Sequence, residues 1–369
     1  MKSRTECRAL ITGGSGFVGS NLAARLLQHP SAHVTVFDSL ARPGVERNLA
    51  WLQALAAPGQ LTVIRGDVRD RALLAEAAQG ATEIYHFAAQ VAVTTSIADP
   101  LDDCHTNILG TLHVLEAARK SRRQPLVLFT STNKVYGSLE GVPVHRAGDH
   151  YAFAEAGFRG VPEIHPLDFH SPYGCSKGAA DQYVHDYARI YNVPTVVFRM
   201  SCIAGPRQLG TEDQGWVAHF LYSALEGEPV TIYGDGCQVR DILHVHDLVD
   251  AMERAAAERR VTAGEIYNVG GGLRQAISVR QALAAIEGQT GIAINAHYAE
   301  ARPGDQQIYI SDTAKLSAHT GWQPTRSLDT ILADIADFWH SDLRGRRGRA
   351  VAAEPAQQLA GAQAIAGRG

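Results

Sequence analysis

Tyr173 and Lys177 form the residue pair with the clearest chemical potential. They stand four apart in a segment that predicts a helix reaching to Asn192, because Ser171 can cap it and Pro172 suits its first turn. A helix places residues four apart on one face. An ammonium group beside a tyrosine favours the phenolate and lowers its pKa from the usual value of about 10. Such a tyrosine can take the proton of an alcohol while the carbon gives up hydride. A surface tyrosine beside a solvated lysine is the simpler alternative.

A strand, a glycine-rich turn and a helix follow one another near the start of the chain. Residues 8–12 predict the strand and residues 20–29 the helix. Gly13 permits a tight turn, Gly16 lets the backbone approach a pyrophosphate, and Gly19 lets the helix pack on the strand. The N-terminus of the helix would then face the anion. The pattern predicts a dinucleotide site, and a glycine turn without a ligand is the alternative.

A carboxylate ends the next predicted strand, residues 33–37. Asp38 stands about 20 residues after the glycines, as the dinucleotide fingerprint requires. It can accept a hydrogen bond from the adenosine ribose 2′-hydroxyl and repels a 2′-phosphate, so we expect NAD rather than NADP. Arg42 and Arg47 act against this preference, because arginine can bind that phosphate. A helix N-cap is the alternative role for Asp38.

Further residues are placed to line this expected cofactor site. Asp67 follows a third predicted strand and could meet the adenine or cap the next helix. Small residues at 88–89 end a fourth strand and leave room for a cofactor against the backbone. Asn107 lies in residues 102–119, which predict a long amphipathic helix. The residues expected to bind the cofactor are Gly13, Gly16, Phe17, Val18, Asp38, Asp67, Val68, Ala88, Gln90, Asn107, Tyr173 and Lys177.

Strands alternate with helices through the first half of the chain. This predicts an α/β fold with a Rossmann-type, doubly wound parallel sheet and ligands at the carboxyl ends of its strands. One such end, residues 130–137, carries Thr132, whose hydroxyl could bond a substrate hydroxyl beside Tyr173. We assign residues 1–200 to this NAD-binding domain. The inserted loop 138–169 is expected to lack regular structure and to be a partial lid or a plain surface insertion.

Residues 201–341 predict a smaller C-terminal α/β domain that mainly binds the substrate and interleaves with the first domain. A hairpin is expected between residues 230–233 and 238–244, turned by glycines. Arg240 and Arg302 in this half could clamp a diphosphate through bidentate hydrogen bonds, or form surface ion pairs instead.

Composition limits the possible partners and location. The chain has 369 residues and a formal net charge of -4, which predicts neither a nucleic-acid nor a membrane partner. Its start shows no apolar segment with the length of a signal peptide or a membrane span. The five cysteines are scattered without a Cys-x-x-Cys pair, so we expect reduced thiols, a cytoplasmic location and no metal site. Residues 342–369 lack aromatic side chains and predict a disordered tail.

Several of these motifs together resemble a known family, the extended short-chain dehydrogenase/reductases of the NAD-dependent epimerase/dehydratase type, which act on nucleotide sugars. The motifs are residues 12–19, Asp38, Asp67, residues 135–137, Tyr173 with Lys177, and residues 239–244. Within that family, residues 131–137, 167–183 and 213–217 resemble the CDP-tyvelose 2-epimerases.

The resemblance implies firmly held NAD, a CDP-hexose substrate and a homodimer or homotetramer formed through two helices near residues 102–119 and 173–191. It implies Thr132, Tyr173 and Lys177 as the catalytic residues. The residues expected to bind the nucleotide-diphosphate sugar are Thr94, Asn133, Lys134, Arg207, Gln214, Tyr233, Arg240 and Arg302.

The two residues after Thr132 distinguish between reactions of this family. Nucleotide-sugar 4,6-dehydratases carry Asp-Glu there, and that pair supplies the acid and the base that expel water. This chain has Asn133 and Lys134. We therefore expect epimerisation, by hydride removal from a sugar carbon and its return to the opposite face, and the resemblance implies that this carbon is carbon 2. A 4,6-dehydratase, an NAD(P)-dependent reductase and a non-catalytic NAD-binding protein are the alternatives.

Overall fold

A parallel sheet of seven strands forms the centre of the fold in the computed structural model, which describes residues 7–302 and 305–344. The strands in chain order are β1 (Cys7–Thr12), β2 (Ala32–Asp38), β3 (Leu61–Arg65), β4 (Glu83–His86), β5 (Leu126–Thr132), β6 (Val144–Ala147), β7 (His150–Phe153), β8 (Thr195–Met200), β9 (Cys202–Ala204), β10 (Val230–Tyr233), β11 (Val239–His244), β12 (Glu265–Val269), β13 (Ala276–Ser278), β14 (Ala296–Ala299) and β15 (Ile308–Tyr309). The central sheet has the order β12-β8-β5-β4-β1-β2-β3, and every neighbouring pair in it is parallel. The predicted doubly wound α/β fold is confirmed.

Helices cover both faces of this sheet and build much of the C-terminal part. They are α1 (Phe17–Leu27), α2 (Val45–Leu55), α3 (Arg71–Ala77), α4 (Val93–Ala98), α5 (Pro100–Cys104), α6 (Gly110–Lys120), α7 (Ser171–Tyr191), α8 (Trp216–Glu226), α9 (Val245–Ala257), α10 (Arg259–Thr262), α11 (Val279–Thr290), α12 (Ala314–Thr320) and α13 (Leu328–Phe338). Helix α7 ends where the sequence predicts, at Asn192, whose left-handed φ of 54° stops it. The helix predicted at 102–119 is instead α5 and α6 joined by a π-helical turn, His105–Leu109.

Apolar layers pack against both faces of the central sheet. On one face α1 and α9 contribute Leu22 and Leu248. On the other face α6 and α7 contribute Leu115 and Val184. Because helices cover both faces, β5 is buried along its whole length. Helix α9 and strand β12, which lie after residue 200, also pack on or join the central sheet.

A second, smaller group of strands and helices lies in the C-terminal half. Strand β11 pairs with β13 antiparallel and with β15 and β9 in parallel. Strand β10 pairs in parallel with β14, so the predicted hairpin of β10 and β11 is wrong. The glycine turn between them is present, with a φ of 80° at Gly234 and 74° at Gly236. The reason for the error is that other strands occupy both edges of β11, so β10 finds its partner elsewhere.

The inserted segment 138–169 contains regular structure, and the expectation that it has none is wrong. Strands β6 and β7 form an antiparallel hairpin within it. The N–H of Tyr151 donates to the carbonyl oxygen of Cys237 at 3.0 Å. Further along, the N–H of Val161 donates to the carbonyl oxygen of Ile310 at 2.7 Å. These contacts with the C-terminal half supply the backbone partners that a long loop would otherwise lack.

The predicted C-terminal tail begins inside a folded element. Residues 342–343 belong to a π-helical turn, Trp339–Leu343, in which both Trp339 and Leu343 are buried. The remainder of the predicted tail, from residue 345, lies outside the described residues.

Candidate active site

The glycine-rich turn at the end of β1 leaves no room for side chains. Gly13 has a φ of 68°, and a Cβ atom there would lie 2.7 Å from the backbone nitrogen of Ala88. A Cβ atom at Gly19 would collide with the carbonyl oxygen of Gly13. Gly16 is the N-cap of α1 and no side chain caps this helix, so the first-turn N–H groups of Phe17 and Val18 can face an anion. This cradle fits the pyrophosphate of a dinucleotide.

Asp38 lies at the carboxyl end of β2, against the same turn. Its Oδ2 accepts a 2.9 Å hydrogen bond from the N–H of Ser15, and its Oδ1 accepts one of 2.9 Å from the N–H of Leu40. The following helix, α2, begins only after Gly44, which is its N-cap. The alternative role of Asp38 as a helix cap is therefore wrong, and the carboxylate is fixed beside the site for the cofactor. Arg42 lines a pocket next to the turn.

Asp67 and Val68 follow β3 and differ in their surroundings. The carboxylate of Asp67 pairs with Arg69, with Oδ1 2.9 Å from Nε, and Arg69 lowers the pKa of Asp67. The N-cap of α3 is Asp70, so capping by Asp67 is wrong. Val68 is buried, and its side chain packs so closely on Gly110 of α6 that a Cβ atom there would lie 2.6 Å away.

Asn107 lies in the π-helical turn and connects three parts of the site. Its Oδ1 accepts a 2.9 Å hydrogen bond from the N–H of Gln90, and its Nδ2 donates to the carbonyl oxygen of Gln90 at 3.1 Å. The same Nδ2 donates to the hydroxyl of Ser176 on α7 at 2.9 Å. Among the described residues the buried Oε1 of Gln90 has no hydrogen-bond partner, which leaves an acceptor for a ligand group next to Ala88.

Tyr173 and Thr132 meet where β5 ends and α7 begins. The hydroxyl of Thr132 is a hydrogen-bond partner of the Tyr173 phenol. The N–H of Tyr173 donates to the hydroxyl of Ser96 on α4 at 3.1 Å. Thr94, two residues before Ser96 on α4, is exposed. Burial raises the pKa of Tyr173 to about 12, and the hydrogen bond from Thr132 offsets only part of this effect.

Lys177 stands one turn further along α7 and is 4% exposed. Its ammonium group donates to the carbonyl oxygen of Thr130 at 2.7 Å and lies 4.1 Å from the centroid of the Phe129 ring. Burial lowers the pKa of Lys177 to about 7. In the protein by itself the pKa of Tyr173 is raised and not lowered as expected, because burial is the largest effect on it.

Three of the expected substrate-binding residues meet beside Thr132. The Nζ of Lys134 and a guanidinium nitrogen of Arg240 lie 3.1 Å and 2.7 Å from the same oxygen, Oδ1 of Asp305. The amide of Asn133 donates to Oε1 of Gln306 at 3.0 Å. The structure thus brings Asn133, Lys134 and Arg240 together at the mouth of the site, in an arrangement with two cations and one carboxylate.

Tyr233 and Arg302 form a second group. The guanidinium of Arg302 lies 4.0 Å from the centroid of the Tyr233 ring and 3.3 Å from the carboxylate of Asp213. The Tyr233 hydroxyl donates to Glu212 at 2.5 Å. Arg302 and Arg240 thus use separate carboxylate partners, which is the ion-pair arrangement expected as the alternative to a clamp.

Arg207 and Gln214 lie nearer to the glycine turn than to the Lys134 group. Both line the pocket that Gly16 borders. The guanidinium of Arg207 pairs with Asp342 at 2.6 Å and lies 4.2 Å from the centroid of the Trp51 ring. Arg207 thereby joins α2 to the C-terminal helical turn, and it shares its pocket with Gln214.

Two residues of this region were missed from the sequence. Gln306 orients Asn133, and Asp103 is buried beside Asn107. A signal for Gln306 was available, because it directly follows a Pro-Gly-Asp stretch of the kind that ends in a polar turn. No such sequence signal was available for Asp103, because an acidic residue in an amphipathic segment predicts an exposed face.

A cluster of possible metal ligands lies away from this site. The ligand atoms of His244, His246 and Asp334 lie within 4.8 Å of one another. His244 already uses both ring nitrogens, because Nδ1 accepts from the N–H of His246 at 2.9 Å and Nε2 bonds Asp334 at 3.0 Å. Through its contact with the N–H of His246, His244 caps the N-terminus of α9. The prediction that the protein has no metal site stays a prediction.

The part of the chain that the structure describes contains no helix with both the length and the apolar character needed to cross a bilayer.

Comparison with known proteins identifies the family. The family model described as GDP-mannose 4,6 dehydratase matches residues 10–335. A CDP-paratose 2-epimerase from Salmonella typhi is 39% identical over 341 residues, which cover 90% of this chain and 99% of that protein.

Solved structures of the family resemble this chain over nearly its whole length. A UDP-glucuronic acid 4-epimerase from Bacillus cereus, in complex with UDP-glucuronic acid and NAD, has a TM-score of 0.77 at 27% identity, and the match covers 90% of this chain and 98% of that one. A double mutant of the dTDP-glucose 4,6-dehydratase from Streptomyces venezuelae, with NAD bound, has a TM-score of 0.77 at 30% identity, covering 91% and 97%. The glycine cradle, Asp38 and the Tyr173 group stand in a fold that uses NAD. The chain therefore belongs to the NAD-dependent nucleotide-sugar epimerase/dehydratase family of the extended short-chain dehydrogenase/reductases.

Proposed function

We propose that this protein is an NAD-dependent epimerase that inverts carbon 2 of a CDP-hexose. The observation that carries the proposal is the pair Asn133 and Lys134 directly after Thr132, because these residues replace the two carboxyl groups that supply the acid and the base of a dehydration. The relative with 39% identity, whose name is CDP-paratose 2-epimerase, supports both the reaction and the CDP group. A dTDP-glucose 4,6-dehydratase from Xanthomonas campestris is 32% identical, so the dehydratase is the second candidate.

The contacts of Asn133 and Lys134 argue against that second candidate. Asn133 is held by Gln306, and Lys134 pairs with Asp305 at 3.1 Å. Asp305 supplies the carboxylate that pairs with Lys134. Although partial burial acts in the opposite direction, Arg240 and Lys134 lower its pKa. A carboxylate that stays ionised has no proton to give to a leaving hydroxyl, and its lone pairs already accept from two cations.

The chain's own residues divide the work of proton transfer. Bound NAD would supply a reversible hydride acceptor for the sugar carbon and a positive charge that favours the phenolate of Tyr173. As the phenolate, Tyr173 takes the proton of the carbon-2 hydroxyl and later returns it, with Thr132 as its hydrogen-bond partner. Thr132 orients the reacting oxygen. Lys177 is anchored to Thr130 at 2.7 Å, one helical turn from Tyr173, and its charged form would favour the phenolate. The residues proposed to hold NAD are those of the glycine turn, with Asp38 at the adenosine ribose.

The C-terminal half is proposed to bind the nucleotide part of the substrate. Arg240 and Lys134 present two cations against the single carboxylate of Asp305. An excess of positive charge at this point suits a diphosphate. Tyr233 offers a flat ring, with Arg302 stacked on it at 4.0 Å, in the same half.

A homodimer or homotetramer completes the proposal. Exposed apolar side chains lie along the α4 to α7 surface, among them Leu101, Leu109, Ile190 and Tyr191, which are 69%, 42%, 62% and 48% exposed. Apolar surface of this kind on neighbouring helices is typical of an interface between subunits.

The deciding experiment incubates the purified protein with CDP-, dTDP-, UDP- and GDP-hexoses and follows the product by NMR. We expect inversion at carbon 2 of a CDP-hexose, one equivalent of NAD released by heat, and no deuterium on carbon when the reaction runs in deuterated water. A 4-keto product would support the dehydratase. Consumption of added NAD(P)H would support a reductase, and solvent deuterium at the inverted carbon would contradict direct hydride return.

A further inference from the structure

A short segment of the C-terminal half lies directly against the glycine-rich turn. This segment, residues 206–209, follows β9 after one residue. Nδ2 of Asn21 on α1 donates to the carbonyl oxygen of its first residue at 3.0 Å. Nδ2 of Asn48 on α2 donates both to the carbonyl oxygen of Ser15 in the turn, at 3.1 Å, and to that of Arg207 in the segment, at 3.3 Å. One buried amide therefore joins the cradle expected to hold the diphosphate to the 206–209 segment.

The side chain of Arg207 fastens this segment in place. Its guanidinium lies 4.2 Å from the centroid of the Trp51 ring on α2 and 4.9 Å from that of the Phe338 ring on α13. Nη1 of Arg207 pairs with Oδ2 of Asp342 at 2.6 Å. The carbonyl oxygen of Asp342 in turn accepts a 3.4 Å hydrogen bond from Arg47 on α2. Contacts of a mostly buried guanidinium with rings and carboxylates are stronger than those at the surface. We therefore expect the segment to leave the turn only when Arg207 gives up these contacts.

A pocket of about 50 Å³ lies between the segment and the start of α1. Gly16 borders it on one side and Gln208 of the segment on the other, and Asn48 and Arg42 line it too. The NH₂ groups of both amides already serve carbonyl oxygens, that of Gln208 donating to Ile203 at 3.1 Å. Among the described residues the buried Oδ1 of Asn48 and Oε1 of Gln208 have no hydrogen-bond partner. Buried acceptors without donors are costly, and the ribose hydroxyls of a dinucleotide at the neighbouring turn are donors of the kind that they require.

We propose that Arg207 is a positioning residue that retains bound NAD, because it holds the 206–209 segment against the pocket beside the glycine turn, so that NAD leaves only after this segment has moved away. The inference rests on the NAD binding that is part of the proposed function, and it is independent of the sugar. Arg207 acts through the segment, since its own guanidinium is engaged by Trp51, Phe338 and Asp342. This role differs from the contact with the substrate that the sequence led us to expect for Arg207.

The test follows the dissociation of NAD from the loaded protein. Protein that carries isotopically labelled NAD is mixed with a large excess of unlabelled NAD, and the label that stays bound is measured over time. In Arg207→Met we expect NAD to dissociate about tenfold faster or more, the usual effect of losing a hydrogen bond to a charged group. Asp342→Asn removes the ion pair but leaves the ring contacts, so it should accelerate dissociation by a smaller factor. Arg207→Lys keeps the charge but loses the planar group that stacks on the rings, and its rate should lie between those of the wild type and Arg207→Met.

A matched arginine at the opposite end of α1 separates retention from general loosening of the fold. Arg25 in the last turn of α1 pairs with Asp250 on α9 at 2.7 Å. Arg25→Met should lower the melting temperature and leave the dissociation rate of NAD unchanged. An equal acceleration in Arg25→Met and Arg207→Met overturns the inference.

Two further results bear on the inference. An unchanged NAD dissociation rate in Arg207→Met overturns it, and a raised KM for the nucleotide sugar in that variant would then assign Arg207 to the substrate. If Arg207→Met does not fold, Asp342→Asn decides alone, because it alters a partly exposed carboxylate, and an unchanged rate there overturns the inference. Because the measurement uses no sugar, lack of turnover with CDP-hexoses would contradict only the proposed function.

Discussion

The ammonium group of Lys177 donates a 2.7 Å hydrogen bond to the main-chain carbonyl oxygen of Thr130. Thr130 lies on β5, two residues before Thr132, so this bond ties α7 to the strand end whose hydroxyl meets Tyr173. The ring of Phe129, 4.1 Å from Nζ, covers the other side of the ammonium group. The proposed catalytic residues therefore lie on one strand and one helix that share a buried contact, which limits the motion of their side chains.

Replacing Tyr173 by phenylalanine removes the proposed proton acceptor and leaves the ring. We expect turnover to fall by about 10²–10⁴-fold, the usual contribution of general acid–base catalysis. The NAD content should stay at the wild-type level, because the glycine turn and Asp38 hold the cofactor. Rate measurement and heat release of NAD check both points. Tyr183→Phe, an exposed tyrosine on the same helix, serves as control. Near-wild-type turnover of Tyr173→Phe would remove Tyr173 from the proposed role.

The buried lysine makes stability depend on pH. In the folded protein the pKa of Lys177 is lowered from 10.5 to about 7. Between these pH values the unfolded chain binds a proton that the folded protein does not, so the free energy of unfolding rises with pH. Relative to Lys177→Met, the wild type should gain stability across this window, by up to about 5 kcal/mol. Denaturant unfolding of both proteins at several pH values measures the difference. A difference that stays constant with pH would show that Lys177 titrates normally.

The sequence predicted the parts of the site that depend on local patterns. Gly13 and Gly19 are required by contacts within one strand–turn–helix unit, so their spacing alone indicates the cradle. Asp38 ends the adjacent strand, and alternation of strands and helices fixes on which edge of the sheet it lies. Tyr173 and Lys177 share a helix face because of their spacing of four.

What the sequence could not predict depends on contacts between distant segments. Strand β10 pairs with β14 because other strands already hold both edges of β11, and nothing in the glycine turn between β10 and β11 reveals this. The pKa of Tyr173 rises because neighbouring segments bury it, whereas spacing shows only that Lys177 is near. Arg207 pairs with Asp342, a partner far along the chain that no local pattern indicates.

The glycine turn offers a prediction with an internal control. Gly13→Ala would force a left-handed φ on alanine and place Cβ 2.7 Å from the backbone of Ala88. We expect loss of bound NAD and a lower melting temperature. Gly288→Ala in α11 has no neighbour within 4 Å of the new Cβ and should leave NAD content unchanged, with stability raised by about 0.5–1 kcal/mol. Retention of NAD by Gly13→Ala would contradict the assignment of the cradle.

Arg240 gives the sharpest test of where the diphosphate binds. Its guanidinium lies 2.7 Å from Oδ1 of Asp305, and Nζ of Lys134 lies 3.1 Å from the same oxygen. One carboxylate thus holds two cations in place and leaves net positive charge for an anionic substrate. A hydrogen bond to a charged group contributes about 1.5–3 kcal/mol, which corresponds to roughly 10–150-fold in affinity. We therefore expect Arg240→Met to raise the KM for the nucleotide sugar by such a factor, with kcat and NAD content less affected.

Two comparisons separate this effect from a general loss of charge or stability. Arg119→Met removes an exposed arginine that pairs with Glu116 on α6, at 2.7 Å, and should leave KM unchanged. Arg240→Lys keeps the charge but loses the planar, bidentate geometry, so its KM should fall between those of the wild type and Arg240→Met. If Arg240→Met binds the nucleotide sugar as well as the wild type, its pairing with Asp305 is purely structural and the diphosphate lies elsewhere. Lys134 pairs with the same carboxylate oxygen as Arg240. If both cations contact one diphosphate, the double variant Lys134→Met with Arg240→Met should raise KM by less than the product of the two single effects.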